Sequence, residues 1–393
     1  MILLRRKIEV EIREHGPIPF SRYMELCLYD PELGYYSRNA SQFGKAGDFY
    51  TSSDVHAVFG RLLARQFEEM WRVLGSPEQI ELVELGPGRG LFARDVLDWS
   101  EKKFPEFFRA LRYVLVEQSA ALRARIEENL RAHIESGRAA IETSGAYSQG
   151  WIGATDVAPV QSNLTQRDPT QNNPAIVFAN EFFDAIPVEI ASSEGSLRID
   201  ARARRFVETW VPCLAEEFEF LDRYSIHPEP GERVEIPLAS QKQMDMCAIE
   251  RGFVVAIDYG YTREEQLAGR HRGTMKAIRR HSVSTNPYEA PGEQDITADV
   301  NFTALAAAAQ QRGFHAQKLI TQSQFLMGIG EANQFADAFE DCRLPQERAK
   351  VALQLKHLVT PAGMGESFHV LVASKGVDRE KASALSGLSF GRR

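Results

Sequence analysis

Three polar residues interrupt the apolar stretch AIVFANEFFDAIPV, which spans residues 175–188. Asn180 and Glu181 directly follow the run AIVFA, and Asp184 comes three residues after Glu181. Carboxylates at the end of a buried strand are costly to desolvate, so they indicate a bound ligand or acid–base chemistry. A structural alternative is that Asn180 caps a short helix, with both acids in its first turn, where the helix dipole favours negative charge.

A glycine-rich loop follows another short apolar run, in IELVELGPGRG. Gly86, Gly88 and Gly90 let the backbone turn sharply and let a ligand approach the main chain at the start of the next helix. Glu117 ends the next run, RYVLVE, where a carboxylate can accept hydrogen bonds from both hydroxyls of a ribose. Loop and acid together predict a site for an adenosine-type ligand. The alternative is a tight turn and an exposed glutamate at a strand end.

Glu84 distinguishes between the nucleotide cofactors. With it the loop reads ExGxGxG, whereas the dinucleotide pattern GxGxxG fails because residue 91 is Leu. A carboxylate beside the loop suits a cofactor that carries an ammonium and a sulfonium group, and it suits a pyrophosphate poorly. Charge therefore favours S-adenosylmethionine over NAD, and a nicotinamide-dependent oxidoreductase is the weaker alternative.

These residues require a scaffold of alternating strands and helices. From Gln79 onward, short apolar runs such as AIVFA and FVVAI alternate with helical stretches. This alternation is typical of an α/β fold with a parallel sheet covered on both faces. Ligands bind at the carboxyl ends of the strands in such a sheet, so we expect the glycine loop, Glu117 and residues 180–184 to line one crevice.

The sequence pattern divides the chain into five parts. Leu4, Ile8 and Ile12 share one face of a first predicted helix. We predict an N-terminal helical cover segment over residues 1–75, the first part of the core over 76–189, a β-rich and helical insertion that covers the substrate over 190–250, the second part of the core over 251–376, and a flexible tail over 377–393.

A second group of candidate residues concerns the cover of the site. The glycines of FGKAGDFYTSSD, residues 43–54, suit a flexible lid, in which Asp48, Tyr50 and Thr51 could contact the cofactor or the substrate. The alternative is a surface turn before the next helix. Asp258 ends the run FVVAID and is a further candidate for the pocket, although an aspartate at a strand end is often a cap.

Composition and charge limit the classes of function. The 393 residues are 44% hydrophobic and 25% charged, as in soluble globular enzymes. The net charge of −8 disfavours bulk attraction to nucleic acid or to an anionic membrane. The cysteines and histidines form no metal-binding pattern, so we predict no metal. We expect a cytoplasmic protein, since the start shows no signal or transit peptide and no run is long enough to span a membrane.

Six stretches of the sequence together resemble one family. They are GPIPFSRYMELCLYDPELGYYS, GKAGDFYTSSDVHAVFG, VELGPGRG, NEFFDAIPV, AIDYGY and GEQDITADVNF. In this order they resemble the MidA family, which contains the mitochondrial complex I assembly-factor methyltransferase and its bacterial relatives, over about residues 15–373. The resemblance implies a class I methyltransferase fold, a seven-stranded sheet whose last strand runs antiparallel. It also implies S-adenosyl-L-methionine as cofactor and S-adenosyl-L-homocysteine as product.

The resemblance also implies roles and a substrate. The matching positions are the three glycines for the cofactor, Glu117 for its ribose, and residues 180–184 for the reaction centre. In the mitochondrial members the family implies symmetric dimethylation of an arginine on a core subunit of complex I. This chain is predicted to be a bacterial relative whose protein target can differ, and the sequence does not determine its oligomeric state.

The chemistry of arginine suits these carboxylates. A guanidinium is cationic at ordinary pH, so one carboxylate can orient it and a second can accept the proton released on methylation. We predict these roles for Glu181 and Asp184, with Asn180 orienting the reactants or contacting the cofactor. The leading interpretation is a protein arginine N-methyltransferase. The alternatives are an S-adenosylmethionine-binding assembly factor without turnover and a small-molecule methyltransferase.

Overall fold

The structure is a computed structural model that describes residues 2–38, 57–143, 173–203, 205–247, 249–279, 282–284 and 286–391. Asp48, Tyr50 and Thr51, the predicted lid or substrate contacts, lie outside these residues. Their assignment therefore stays a prediction.

Helices and short strands alternate through most of the described residues. The helices are α1 (Ile2–His15), α2 (Phe20–Tyr29), α3 (Tyr35–Arg38), α4 (Ala57–Val73), α5 (Leu91–Lys103), α6 (Pro105–Ala110), α7 (Ala120–Asn129), α8 (Arg131–Glu135), α9 (Ala215–Tyr224), α10 (Leu238–Met246), α11 (Arg263–Leu267), α12 (Phe302–Gln311), α13 (Gln322–Glu331), α14 (Ala336–Phe339), α15 (Pro345–Val359) and α16 (Arg379–Ser383). Short 3-10 helices cover Phe183–Ala185 and Ser386–Leu388. Within the described part of the chain, no helix has both the length and the apolar character that crossing a membrane requires.

The strands are short and most belong to one large sheet. They are β1 (Ile18–Pro19), β2 (Ile80–Leu85), β3 (Leu111–Val116), β4 (Ala139–Glu142), β5 (Ala175–Asn180), β6 (Glu189–Ser192), β7 (Gly195–Arg202), β8 (Arg205–Val211), β9 (Val234–Ile236), β10 (Gly252–Tyr261), β11 (Lys276–Arg279), β12 (Ser282–Ser284), β13 (Asp295–Thr297), β14 (Val300–Asn301), β15 (His315–Ala316), β16 (Ile320–Thr321) and β17 (Phe368–Lys375).

The large sheet has the strand order β15-β17-β10-β5-β2-β3-β4, with β14 paired to β10 and β16 paired to β17. Neighbours from β10 to β4 pair in parallel, whereas β17 pairs antiparallel with both β10 and β15. The path through seven strands and the antiparallel β17 confirm the fold that the sequence predicts. The carboxyl ends of β2, β3, β5 and β10 therefore lie at one edge of the sheet.

Both faces of this sheet are buried, which is why its strands read as continuous apolar runs. On one face Leu82 and Phe178 pack with α4 and α5, and the Phe178 ring stacks on that of Phe92 at a centroid distance of 4.7 Å. On the other face Val83 and Val177 pack with α12. Burial of one such side chain contributes about 1.5–3 kcal/mol. This core fixes the strand ends that carry the polar residues.

A second sheet joins the N-terminal helices to the insertion. Its order is β1-β7-β6-β9, with β8 paired to β7, so a strand from the N-terminal segment pairs with the insertion. Leu4, Ile8 and Ile12 of α1 are buried in the same cluster as Leu197 and Ile199 of β7. The N-terminal segment and the insertion, predicted as separate parts, thus share one apolar core.

The C-terminal residues pack against the large sheet's helices, which corrects the prediction of a flexible tail over residues 377–393. Leu385 and Leu388 are buried in one cluster with residues of α4 and α13. The Ser386 hydroxyl donates a hydrogen bond to Glu69 Oε2 at 2.7 Å. The buried apolar residues recur at three-residue spacing over one short turn, a pattern too brief to register as helical periodicity.

Candidate functional site

The glycine loop lies between β2 and α5, and its backbone is left-handed at Gly86, Gly88 and Gly90, with φ of 65°, 55° and 74°. Gly86 meets a further restriction, because a Cβ built there would lie 2.8 Å from Cδ2 of Phe182. A side chain at Gly86 would therefore require both an unfavourable φ and a displaced ring. The contact also joins the glycine loop to the chain segment that follows β5.

Glu117 directly follows β3 at the same edge. The Ser119 backbone N–H donates to Glu117 Oε1 at 2.8 Å and so orients the carboxyl group. Burial raises the pKa of Glu117 to about 7, while the backbone N–H of Ser119 opposes this rise. A carboxyl group with such a pKa is partly ionised at neutral pH and can accept hydrogen bonds from ribose hydroxyls.

Glu84 lies deeper, near the end of β2. Its side chain is buried, and the Tyr113 hydroxyl donates to Oε2 at 2.8 Å. Burial raises the pKa of Glu84 to about 8, and the Glu117 charge adds to the rise, while the Tyr113 hydroxyl opposes it. The predicted negative charge at Glu84 is therefore disfavoured at pH 7 in this structure, although a cation bound beside it would lower the pKa.

Asp258 accepts hydrogen bonds from the backbone of the turn after β5. The carboxylate of Asp258 is fully buried, and its Oδ2 accepts from the backbone N–H groups of Phe182, Phe183 and Asp184 at 3.1, 3.0 and 3.3 Å. Asp258 therefore acts as the cap of this turn, which corrects its prediction as a substrate or lid contact. The N-cap position of the 3-10 helix is Phe182, and not Asn180 as the structural alternative had it.

Glu181 adopts an uncommon backbone conformation at the end of β5. Its φ is 48°, in the left-handed region, and its N–H donates to the Ile257 carbonyl at 3.0 Å. Asn180 Nδ2 donates to Glu181 Oε1 at 3.2 Å, so the first two predicted residues contact each other. A left-handed residue other than glycine costs about 1–2 kcal/mol, and such conformations concentrate at functional sites.

Asp184 is buried on the same turn, 3% exposed. The Tyr259 hydroxyl donates to Asp184 Oδ2, and Oδ1 is buried without a hydrogen-bond partner among the described residues. Burial raises the pKa of Asp184 to about 6, while the Tyr259 hydroxyl opposes this rise. Burial and the charges of Asp184 and Asp258 raise the pKa of Tyr259, so its phenol stays protonated and remains a donor.

The structure also brings tyrosines from the N-terminal helices to this edge, which the sequence predictions missed. The Tyr29 hydroxyl donates to the Ala185 carbonyl at 2.9 Å, and the Tyr36 hydroxyl donates to Asp295 Oδ1 at 2.8 Å. Both tyrosines lie in LYDPELGYYS and Asp295 lies in GEQDITADVNF, two of the stretches that carry the family resemblance. The family motifs contain these residues and could have indicated them. The residues do not follow a strand of the large sheet, so the rule that ligands bind at strand ends does not predict them.

One edge of the large sheet thus collects most of the predicted site. The glycine loop and the turn after β5 touch through Gly86 and Phe182, and the N-terminal helices close one side through Tyr29. Among the described residues no group of three or more His, Cys, Asp or Glu side chains is arranged to hold a metal ion. The predicted residues at this edge are Glu84, Gly86, Gly88, Gly90, Glu117, Asn180, Glu181 and Asp184.

A protein-family model matches residues 62–320 of the chain, and its description is "Putative S-adenosyl-L-methionine-dependent methyltransferase". The chain belongs to this family. The match covers the glycine loop, the turn after β5 and Asp258, and it confirms the family resemblance that the six motifs predicted.

The methyltransferase is also similar over most of its length to named proteins. It is 30% identical over 409 residues to the Drosophila melanogaster protein named "Protein arginine methyltransferase NDUFAF7 homolog, mitochondrial", covering 95% of this chain and 85% of the relative. It is 28% identical to the Homo sapiens protein of that name without "homolog", covering 93% and 81%. A Burkholderia thailandensis crystal structure with bound S-adenosyl-homocysteine has 28% identity and a TM-score of 0.79, covering 98% and 94%.

The residues at the sheet edge fit the cofactor of this family, S-adenosyl-L-methionine. Glu117 has an oriented carboxyl group that would accept hydrogen bonds from ribose hydroxyls, and the glycine loop would let the cofactor approach the main chain at the start of α5. Glu84 supplies a buried carboxyl group whose ionisation a neighbouring cation would favour. When bound, this cofactor supplies an activated methyl group on a sulfonium.

Proposed function

We propose that this methyltransferase transfers the methyl group to a guanidino nitrogen of an arginine in a protein. The observation that carries the proposal is the buried Asp184 carboxyl, with a pKa near 6, on the turn that packs over the glycine loop. The named relatives, which are arginine methyltransferases by their names, support the same acceptor.

An arginine acceptor needs a base because its guanidinium carries a proton that must leave. The lone pair of a guanidino nitrogen forms the new N–C bond as the S–C bond breaks and its electron pair returns to sulfur. The proton released from that nitrogen passes to Asp184, whose pKa lies close enough to neutral pH for it to accept a proton and return it to solvent. Ionised Asp184 also attracts the guanidinium before transfer.

Glu181 and Asn180 position the acceptor in this proposal. Glu181 is half-buried at the mouth of the turn, and Asn180 Nδ2 holds its Oε1 at 3.2 Å. A carboxylate fixed in this way can accept two parallel hydrogen bonds from a planar guanidinium. The left-handed φ of Glu181 supports a functional role for its side chain, because a residue other than glycine is strained in that conformation.

The proposal is tested by incubating the purified protein with isotope-labelled S-adenosylmethionine and an extract from cells that lack the gene. We expect label in the protein fraction, and Asp184→Asn should reduce its rate by about 100-fold or more, since it removes the base. Asp341→Asn is a matched control, because Asp341 pairs with Lys102 in the last turn of α5, whereas the glycine loop precedes the first turn of that helix. Its rate should equal that of the wild type.

The same experiment separates the alternatives. Binding of S-adenosylhomocysteine without any labelled product would favour an assembly factor without turnover, and label confined to the low-molecular-weight fraction would favour a small-molecule acceptor. The family resemblance makes a core subunit of respiratory complex I one candidate acceptor. Mass spectrometry of the labelled band identifies the acceptor directly.

A further inference from the structure

Asp295 is a buried acid on a short strand that lies next to the turn carrying Asp184. Asp295 begins β13 and is 2% exposed. Just beyond that strand, the Ala298 N–H donates to the Asp184 carbonyl at 2.9 Å. The two aspartates therefore belong to segments that are hydrogen-bonded to each other, and neither can shift far without the other.

Tyr36 connects Asp295 to the cofactor side. Its hydroxyl donates to Asp295 Oδ1 at 2.8 Å, while its backbone carbonyl accepts from the Ser119 hydroxyl at 2.9 Å. Ser119 also holds the Glu117 carboxyl through its backbone N–H, at 2.8 Å. A chain of hydrogen bonds therefore runs from the predicted ribose acid, through the N-terminal segment, to Asp295.

The same acids act on two tyrosines of the N-terminal helices. Burial raises the pKa of Tyr29, and the negative charges of Asp184, Asp295 and Glu117 raise it further. Burial and the charges of Asp295 and Asp184 also raise the pKa of Tyr36. Carboxylates grouped in this way are stabilised by a cation between them, and the protonated Tyr36 phenol donates to one of them, Asp295.

We propose that Asp295 is a second carboxylate that binds the acceptor guanidinium. In this proposal Tyr36 is a positioning residue, which fixes the place of the Asp295 carboxylate relative to Glu117, the predicted ribose acid. This inference rests on the proposed arginine methylation and adds the residues that select the acceptor.

Two carboxylates on different segments suit a guanidinium better than an ammonium. A guanidinium presents N–H donors in a planar fork, so it can bridge Asp184 and Asp295 at the same time, whereas an ammonium is a compact point charge. Tyr29 contacts the turn at Ala185 and Tyr36 contacts Asp295, so their rings, with centroids 5.5 Å apart, add aromatic surface that favours a delocalised cation. The site should therefore prefer arginine to lysine.

The test measures binding of a short probe, acetyl-Gly-Arg-Gly-amide, to the full chain saturated with S-adenosylhomocysteine, by NMR titration, with the lysine peptide as comparator. We expect the wild type to prefer the arginine peptide. Asp295→Asn should weaken arginine binding by about tenfold, because a charge-assisted pair is lost, and Tyr36→Phe should weaken it by about threefold. The Kd for S-adenosylhomocysteine and the thermal midpoint should stay near the wild-type values in both.

Tyr288 provides a matched control in the same half of the molecule. Its hydroxyl donates to Glu208 Oε1 at 2.9 Å, so Tyr288→Phe removes a tyrosine–carboxylate hydrogen bond, while Glu208 keeps its two bonds with Arg233. This variant should bind the arginine peptide within about twofold of the wild type. A purely structural role of Tyr36 would make Tyr36→Phe behave like Tyr288→Phe.

Each outcome decides the inference. Wild-type affinity for the arginine peptide in Asp295→Asn and Tyr36→Phe overturns it, and so does a wild type that binds both peptides equally. If Asp295→Asn does not fold, Asp295→Glu and Tyr36→Phe decide instead, with the same expected loss of arginine binding. Failure of the proposed function is seen separately, as methyl label on a residue other than arginine in the wild-type reaction.

Discussion

We predict that Glu117 makes cofactor binding depend on pH. Burial raises the pKa of its carboxyl to about 7, and a ribose needs the ionised form to receive hydrogen bonds at both oxygens. Raising the pH through 7 therefore increases the fraction of protein that is ready to bind. The perturbation is Glu117→Gln, which keeps the shape of the side chain and removes the titration.

The magnitude follows from the ionised fraction. With a pKa of about 7, roughly one molecule in eleven is ionised at pH 6 and roughly ten in eleven at pH 8, and the observed Kd is the intrinsic Kd divided by this fraction. The Kd for S-adenosylhomocysteine should therefore fall by about tenfold from pH 6 to pH 8 through this group alone. At pH 8, Glu117→Gln should weaken binding by about 10- to 100-fold, since charge-assisted hydrogen bonds are lost.

The experiment needs a control for Glu84, because this carboxyl group, with a pKa of about 8, titrates over the same pH range beside the glycine loop. Isothermal titration calorimetry with S-adenosylhomocysteine at pH 6, 7 and 8 is carried out on the wild type, Glu84→Gln, Glu117→Gln and the double variant. We expect Glu84→Gln to keep the tenfold change and the double variant to lose it. A double variant that keeps the change, or a Glu84→Gln protein without it, would refute this reasoning.

Three further predictions concern the fold around the site. The folded protein retains a proton at Glu84 that the unfolded chain releases above its ordinary pKa of 4.5. This residue therefore disfavours folding as the pH rises from 4.5 to about 8, by on the order of 3–5 kcal/mol at pH 8. Urea unfolding should show a smaller loss of stability over that pH range in Glu84→Gln than in the wild type, and equal losses would contradict the raised pKa of Glu84. Glu181→Gly should be more stable than Glu181→Ala by about 1 kcal/mol, because glycine adopts the left-handed φ without strain. Both variants should lose methyl transfer. Equal free energies of unfolding would argue against backbone strain at this position. Leu385→Ala should lower the free energy of unfolding by about 2–4 kcal/mol, because that side chain is 1% exposed, and an unchanged value would indicate that the C-terminal residues do not pack in solution.

Much of the predicted cofactor site could be predicted from the sequence, because the positions of its residues depend on the local sequence pattern. A glycine loop directly after a buried strand, and a carboxylate directly after the next, have fixed positions once the sheet is parallel. The turn at residues 180–184 follows by the same logic. The structure confirms the parallel strands and the antiparallel last strand, and it places these strand ends at one edge.

The rest depends on contacts between distant parts of the chain. Asp258 caps a turn more than seventy residues away, and Tyr36 meets Asp295 across 259 positions of the sequence. Neither contact has a local signature, because each requires a particular docking of the N-terminal helices and of β10 against the turn. The raised pKa of Glu84 was hidden for the same reason, since burial comes from the packed core and not from the loop motif.

The most direct test of the proposed function is to find which atom receives the methyl group. Protein labelled by the wild type with isotope-labelled S-adenosylmethionine is hydrolysed in acid, and the amino acids are separated by chromatography with mass detection. We expect the label in methylarginine modified on a guanidino nitrogen, and about 100-fold less of it after the same reaction time with Asp184→Asn. Label in lysine or histidine, label released as methanol by mild base before hydrolysis as from a carboxyl methyl ester, or undiminished methylarginine with Asp184→Asn, would contradict the proposed chemistry.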